Sequence, residues 1–317
     1  MTVVTVMREG ALPQRRRPPR LAQGDRVAIV SPASPPTAEH MARAVALVEN
    51  WGFVPVVGEN AGAVDRRAAY LAGSDAQRAS DLRSAWLDPS IAAVFCIRGG
   101  YGSLRLLDLL DFDELSTAAP KLLVGSSDIT ALHQAWNARL DVATLLSPMI
   151  GTADLLDDDV TTANVRAALL QPESATVLRG EHAESLVRGD ATGVLVGGNL
   201  SLISASIGAP EFLLPTGGIG LLEEVHEEPY RLDLLLLQLK RSGWLDSLSA
   251  VALGSWEDCG EPDEVKDLLA EYVTPLGVPV IWQLGFGHCA SAIAVPLGVE
   301  ARLISDDDPR IEVVQPM

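Results

Sequence analysis

The chain has 317 residues, 42 acidic against 24 basic, for a formal net charge of −18. That length gives about two domains, each able to bury a core, and a composition of 48% hydrophobic and 21% charged residues excludes a disordered chain. So acidic a body repels phosphate backbones, which argues against nucleic acid as a partner.

The basic residues gather at the start. Arg8, Arg15, Arg16, Arg17 and Arg20 stand against Glu9 alone, and Pro18 and Pro19 interrupt them, so residues 1–20 read as a disordered basic tail. No apolar stretch follows the arginines, as an export signal would require. Arg26–Ser31 is a buried strand ending at Pro32. Thr37 caps a helix with Met41, Ala44, Val45 and Val48 on one face. Phe53–Val57 is a strand, 75–87 a helix, and Ile91–Ile97 a strand without polar alternation. The pattern continues through a helix over about 102–110, the strand Lys121–Val124, a helix over about 128–138 and the strand Val142–Leu146. Continuous apolar strands separated by helices point to a parallel sheet covered on both faces, an open doubly wound α/β domain.

Residues 152–190 read as a helix and linker, with Asp157, Asp158 and Asp159 on a solvated face. From about 191 the elements shorten: strand Gly193–Val196, a helix from 199, strand Ile219–Glu223 and helix 230–242. Strands near 249–254, 279–283, 292–296 and 309–314 follow, with one helix at 263–273. This is a second, mixed α+β domain. The division is a tail (1–20), an α/β domain (21–165), a linker (166–190) and a C-terminal domain (191–317). The uncharged runs 191–210 and 272–299 are too broken by Gly and Pro to be lipid-facing helices, so no membrane is expected. Cys96, Cys259 and Cys289 are too scattered for a disulfide framework, which fits a reducing cytoplasm.

Four segments could carry chemistry. In Lys121–Thr130 an apolar strand runs into Gly125, Ser126, Ser127 and Asp128 and then a helix. A serine on such a turn is raised above the sheet edge beside helix amides that can hold an oxyanion, although the same hydroxyls could simply cap the helix. In Phe95–Gly102 the glycines Gly99, Gly100 and Gly102 either bring backbone amides to an anionic ligand or form a plain tight turn. It is not the dinucleotide pattern, and no cofactor is expected. In Leu221–Tyr230, Glu223 ends an apolar strand and needs a partner. Metal binding by Glu223, Glu224, His226, Glu227 and Glu228 is disfavoured, since no second histidine follows at helical spacing. In Leu284–Cys289, His288 stands in a glycine-flanked loop with Cys289 beside it. Together these offer Ser…Glu…His in chain order, an acyl-transfer triad if the domains bring them together.

The ordered set Val-Ser-Pro-Ala-Ser (30–34), Arg-Gly-Gly-Tyr-Gly (98–102), Gly-Ser-Ser-Asp-Ile-Thr (125–130), Gly-Gly-Asn-Leu (197–200), Leu-Glu-Glu (222–224), Pro-Tyr-Arg-Leu-Asp (229–233) and Gly-His (287–288) resembles the serine LD-carboxypeptidases. These are the muramoyl-tetrapeptide carboxypeptidases, with the microcin C self-immunity peptidases as a branch. The resemblance runs from about residue 21 to the C-terminus. It implies a Rossmann-like N-terminal domain, a smaller C-terminal domain of β-barrel or swivelling type, and a homodimer.

It also implies Ser127 as nucleophile, Glu223 as the triad carboxylate and His288 as general base. The oxyanion donors would be the amides of Asp128 and Gly100, with Gly99 as neighbour. Apart from the resemblance, Arg98 and Arg231 are the candidates for the substrate carboxylate, since guanidinium matches that planar anion, although Arg98 could equally be structural. Two departures stand out: Ser126 replaces an aromatic residue, and Leu234 replaces an arginine. The implied reaction is release of the terminal D-alanine from cytoplasmic murein tetrapeptide during peptidoglycan recycling, without metal. The alternatives are a microcin-immunity-like amidase acting on an aminoacyl-sulfamoyl adenylate, and a catalytically silent small-ligand binding protein.

Overall fold

A computed structural model describes residues 12–316. In the first half run β1 (Arg26–Val30), α1 (Ala38–Asn50), β2 (Val54–Val57), α2 (Asp75–Leu87), β3 (Ile91–Cys96), α3 (Phe112–Leu115), β4 (Leu122–Gly125), α4 (Thr130–Ala135), β5 (Thr144–Leu146), α5 (Ala153–Leu156) and α6 (Asp159–Leu170). The second half holds β6 (Val177–Leu178), β7 (Glu184–Val187), β8 (Gly189–Asn199), α7 (Leu200–Ala205), β9 (Ile219–Val225), α8 (Pro229–Arg241), β10 (Ala250–Glu257), α9 (Pro262–Val273), β11 (Val280–Trp282), β12 (Val295–Leu297), β13 (Glu300–Ser305) and β14 (Arg310–Val313).

Strands β1 to β5 form a parallel sheet in the spatial order 2-1-3-4-5. Its strands are apolar throughout because both faces are covered. On one face Leu82 and Trp86 of α2 pack with Leu132 of α4 and with Trp136, and on the other Ala44 and Val48 of α1 pack with Val165 and Leu169 of α6. Local signals agree with this: the Thr37 hydroxyl caps α1 and a Ser74–Gln77 capping box starts α2. The doubly wound α/β reading of the N-terminal half therefore holds.

The second sheet has the order 6-14-13-8-9-10-11-7, with β8 to β11 parallel and the flanking pairs antiparallel. It curls back on itself, so that Ser185 on β7 hydrogen-bonds Ser305 on β13 at 2.8 Å. Leu195, Leu221, Ala252, Ile281, Phe286 and Leu303 fill the interior, while α7, α8 and α9 cover the outside. This is the expected mixed, barrel-like second layer.

Several sequence expectations need correction. The part of the tail that is described, residues 12–20, is pinned to the body: the amides of Arg15 and Arg16 donate to Gly298 O (2.7 Å) and Asp141 O (2.9 Å). Residues 1–11 lie outside the described residues. The expected linker carries the end of α6 together with β6 and β7, both built into the second sheet. The strand read near 292–296 is β12, which returns to the first sheet and pairs antiparallel with β5. Strand β13 was not expected; it opens on Glu300 and Arg302 around Ala301 and ends in three consecutive buried residues, so no alternation is sustained. The helices read over 102–110 and 128–138 are a 3₁₀ run at Ser103–Leu109, and a 3₁₀ turn, α4 and a π turn over Ser127–Leu140. No helix among the described residues is long and apolar enough to cross a membrane.

Candidate active site

In an open sheet of order 2-1-3-4-5 the strand order reverses between β1 and β3, and ligands bind outside the carboxyl ends there. The segments leaving β1 and β3 are cross-linked at that edge. The Ser34 amide donates to Gly99 O at 3.1 Å, and the Ser34 hydroxyl accepts from the Tyr101 amide at 3.3 Å. Gly100 has φ +99°, and a Cβ there would fall 2.2 Å from the Ser34 hydroxyl, so only glycine fits.

The next strand, β4, delivers the two serines. Ser126 is extended (φ −148°) and buried. Ser127 takes φ +56°, a left-handed conformation that costs a non-glycine residue about 1–2 kcal/mol, and is half-buried. A Cβ added to Gly99 would lie 3.3 Å from Ser127 Oγ, so the glycine turn lies against the Ser127 side chain. The Asp128 side chain is buried and accepts from the Ser103 amide at 2.8 Å. Burial pushes its pKa up, against the hydrogen bonds that lower it.

The carboxylate and the imidazole come from the other domain. Glu223 is completely buried near the end of β9, and its Oε2 accepts from His288 Nδ1 at 2.7 Å. Because a carboxylate only accepts, this bond places the proton on Nδ1 and leaves Nε2 free as a base. Burial pulls the imidazole pKa down, but the hydrogen bond and charge of Glu223, with the charges of Asp154 and Glu224, together outweigh it and the net shift is upward. Between Leu253 and Trp256 the β10 ladder slips opposite Glu223, a bulge of the kind that re-aims side chains near active sites. Gly287 has φ +104°, and a Cβ there would lie 2.8 Å from Glu223 Oε2 and 2.6 Å from Ser255 Oγ.

The two halves meet through α4. Thr130, three residues beyond Ser127, accepts from the Asn199 amide at 3.0 Å, and Asn199 pairs with Glu223 across the β8–β9 ladder. The structure thus joins Glu223 to His288 directly and brings the helix that follows Ser127 against the neighbouring strand. Among the described residues Ser127 and His288 share no hydrogen bond. Arg98 is exposed at the end of β3, next to Gly99. Arg231 pairs with Glu227 at 3.5 Å on α8. His226 is exposed and faces Asp258 at 3.0 Å, and no group of three metal-ligating side chains converges among the described residues.

Sequence reasoning missed three residues. Glu224, beside Glu223 but engaged elsewhere, accepts from Asn199 Nδ2 (2.7 Å) and the Ser201 amide (2.9 Å), tying β9 to the start of α7. Asp158 is no solvated bystander: it caps α6 and accepts from the Ser291 amide at 2.7 Å, holding the far end of the His288 loop, and these amides draw its pKa down to about 2. Arg78 is buried in α2. Its signal was legible, since an arginine four residues before Leu82 and eight before Trp86 lies on the apolar stripe and must have partners.

A doubly wound domain with a hydroxyl on a left-handed turn at its carboxyl edge, joined to a second domain that carries a buried carboxylate–imidazole pair, has the parts of a serine peptidase. Residues 27–147 match the family model of the LD-carboxypeptidase N-terminal domain and residues 192–303 that of the LD-carboxypeptidase C-terminal domain. The chain belongs to the LD-carboxypeptidase family and is a serine carboxypeptidase. A Streptomyces coelicolor relative named as a carboxypeptidase is 45% identical over 293 residues, 92% of this chain and 94% of the relative. The murein tetrapeptide carboxypeptidase of Pseudomonas aeruginosa is 32% identical over 292 residues, 88% of this chain and 92% of its own. Among solved structures, the muramoyltetrapeptide carboxypeptidase from Oxalobacter formigenes superposes with a TM-score of 0.77 at 27% identity, covering 92% of this chain and 99% of that one. A microcin-immunity-like protein from Bacillus anthracis shares the fold with a TM-score of 0.85 at 23% identity, covering 95% and 99%.

Proposed function

We propose that this chain releases the terminal D-alanine from murein tetrapeptide in the cytoplasm, through an acyl-enzyme on Ser127. The observation that carries the reading is the 2.7 Å bond from His288 to a fully buried Glu223, which supports the imidazole as a base through its other nitrogen. His288 Nε2 takes the Ser127 proton as Oγ attacks the carbonyl of the residue before D-alanine. The oxyanion that forms is held by the Asp128 amide and an amide of the Gly99–Gly100 turn, each donor being worth on the order of 10²–10³ in rate. His288 then returns the proton to the leaving D-alanine nitrogen, and water cleaves the Ser127 ester by the reverse sequence.

The fully extended Ser126 is buried, whereas Ser127 is half-buried and touches the glycine turn, which supports Ser127 as the nucleophile. Arg98 is the better partner for the substrate carboxylate, since Arg231 already has Glu227.

The test is D-alanine release from murein tetrapeptide by the wild type and by Ser127→Ala. Release by the wild type alone supports the reading, and equal release by both removes Ser127 from it. Cleavage of an aminoacyl-sulfamoyl adenylate without D-alanine release would assign the chain to the microcin-immunity branch. Tight binding of either compound without turnover would make it a binding protein.

A further inference from the structure

One guanidinium sits against Gly102 at the end of the glycine turn, and the proposed reaction leaves it unused. Arg78 in α2 is 2% exposed. Its Nη1 donates to Pro32 O, just after β1, and to Gly102 O at 2.9 Å, just after β3. Its Nη2 donates to Asp75, which Arg105 holds in turn at 2.6 and 2.8 Å. A single side chain therefore ties together the two loops that flank the point where the strand order reverses.

The opposite side of the same turn is held by Asp128, whose carboxylate accepts from the Ser103 amide at 2.8 Å while the Ser103 hydroxyl donates to Asp128 O. Gly102 lies between these two anchors with φ +133°, and a Cβ on it would fall 2.6 Å from Arg78 Nη1. The missing side chain at 102 is the space the guanidinium fills.

We infer that Arg78 is a positioning residue for the oxyanion-binding turn: it acts through Gly102 and Pro32 to hold the Gly99–Gly100 amides against Ser127. This rests on the serine-hydrolase reading given above. The fork is needed because two carbonyls and a carboxylate lie at fixed directions around it, and the compact ammonium of lysine cannot serve all three. Without it the buried Pro32 carbonyl loses its donor, the Gly102 carbonyl keeps only the Arg105 amide at 3.2 Å, and the turn is free to drift. A loosened turn weakens the transition state while substrate binding elsewhere stays intact.

The experiment compares wild type, Arg78→Gln, Arg78→Lys and Gly102→Ala by D-alanine release and by labelling with a fluorophosphonate. In labelling, Ser127 Oγ bonds to phosphorus, fluoride departs and the hydroxyl proton passes to His288, so no peptide substrate is required. We expect kcat and the labelling rate of Arg78→Gln to fall together by about 10–100-fold, less than the full value of an oxyanion donor. The pH profile should stay unmoved, since His288 and Glu223 are not touched, and any rise in KM through Arg98 at the base of the turn should be smaller than the fall in kcat. Arg78→Lys should recover only part of the loss.

Gly102→Ala reaches the same contact from the other side and should reproduce the pattern, and the double variant should lose no more than the worse single one. Gly102→Ala also keeps the test open if Arg78→Gln does not fold. Wild-type kcat and labelling in both variants would overturn the inference, as would a loss confined to KM or a shifted pH profile. If the wild type labels but releases no D-alanine, the peptide reading fails while the labelling rates still test Arg78. If it does not label, both fall.

Discussion

Replacing Glu223 by glutamine keeps the shape of the side chain and removes its charge, which isolates what the carboxylate does for His288. The bond is 2.7 Å long and its acceptor has no solvent exposure, so water cannot substitute for it. A charge-assisted hydrogen bond of this kind contributes about 1.5–3 kcal/mol, equivalent to about 10–150-fold in rate. The amide adds a second fault, because its NH₂ group favours the imidazole tautomer with the proton on Nε2, where it cannot accept from Ser127. We expect kcat/KM for D-alanine release to fall by about 10²–10⁴, between the value of the hydrogen bond alone and the roughly 10⁴ that neutralising a triad aspartate costs, with little change in KM.

The pH dependence has a definite sign. In the wild type the acidic limb of kcat/KM lies above the ordinary imidazole value of about 6.5, because the hydrogen bond and charge of Glu223, joined by the charges of Asp154 and Glu224, together exceed the effect of burial. In Glu223→Gln burial meets less opposition and the limb moves down. Stability follows the same group. An imidazole whose pKa is raised by folding contributes stability that is complete below about pH 6.5; the contribution is lost as pH rises through its folded value. The wild type should therefore exceed the variant in melting temperature most clearly near pH 5.5, with the gap closing as pH rises through that folded value. An unmoved acidic limb, or a loss of activity below about threefold, would refute the reasoning, because three-fold is less than one hydrogen bond's worth.

Two further substitutions probe the glycines around the site. Gly287→Ala must place a Cβ at φ +104° within 3 Å of Glu223 and Ser255; thermal unfolding should show about 1–2 kcal/mol of lost stability, and activity should fall at least as far as in Glu223→Gln. Gly99→Ala has no positive φ to accommodate, so its melting temperature should stay near wild type, yet its Cβ enters the space beside Ser127 Oγ and D-alanine release should drop at least tenfold.

The parallel sheet was legible because β1, β3 and β4 are buried on both faces, and a run such as Ile91–Cys96 leaves no room for polar alternation. Glu223 and His288 were legible for a related reason: each is an ionisable group stranded in an apolar run, and burial demands a partner. The rest depended on contacts that distance along the chain conceals. Strand β12 has three residues, one of them Pro296, and finds β5 about 150 positions earlier. Arg15 belongs to a segment that composition marks as a tail, and bonds to the distant Gly298 and Asp141 order it. The choice between Ser126 and Ser127 turns on a backbone angle, φ −148° against +56°, to which two identical side chains give no clue. Arg78 was visible as a charge on an apolar stripe, but beyond the nearby Asp75 its partners are the carbonyls of Pro32 and Gly102, and a carbonyl is present in every residue.

The account stands or falls on which oxygen is the nucleophile. Mass spectrometry of the protein after reaction with a fluorophosphonate, with peptides mapped at pH 8, decides this directly. A single adduct on Ser127 that disappears in His288→Ala is the predicted result. An adduct on Ser126 or Cys289, or labelling of Ser127 that survives loss of the imidazole, would contradict it.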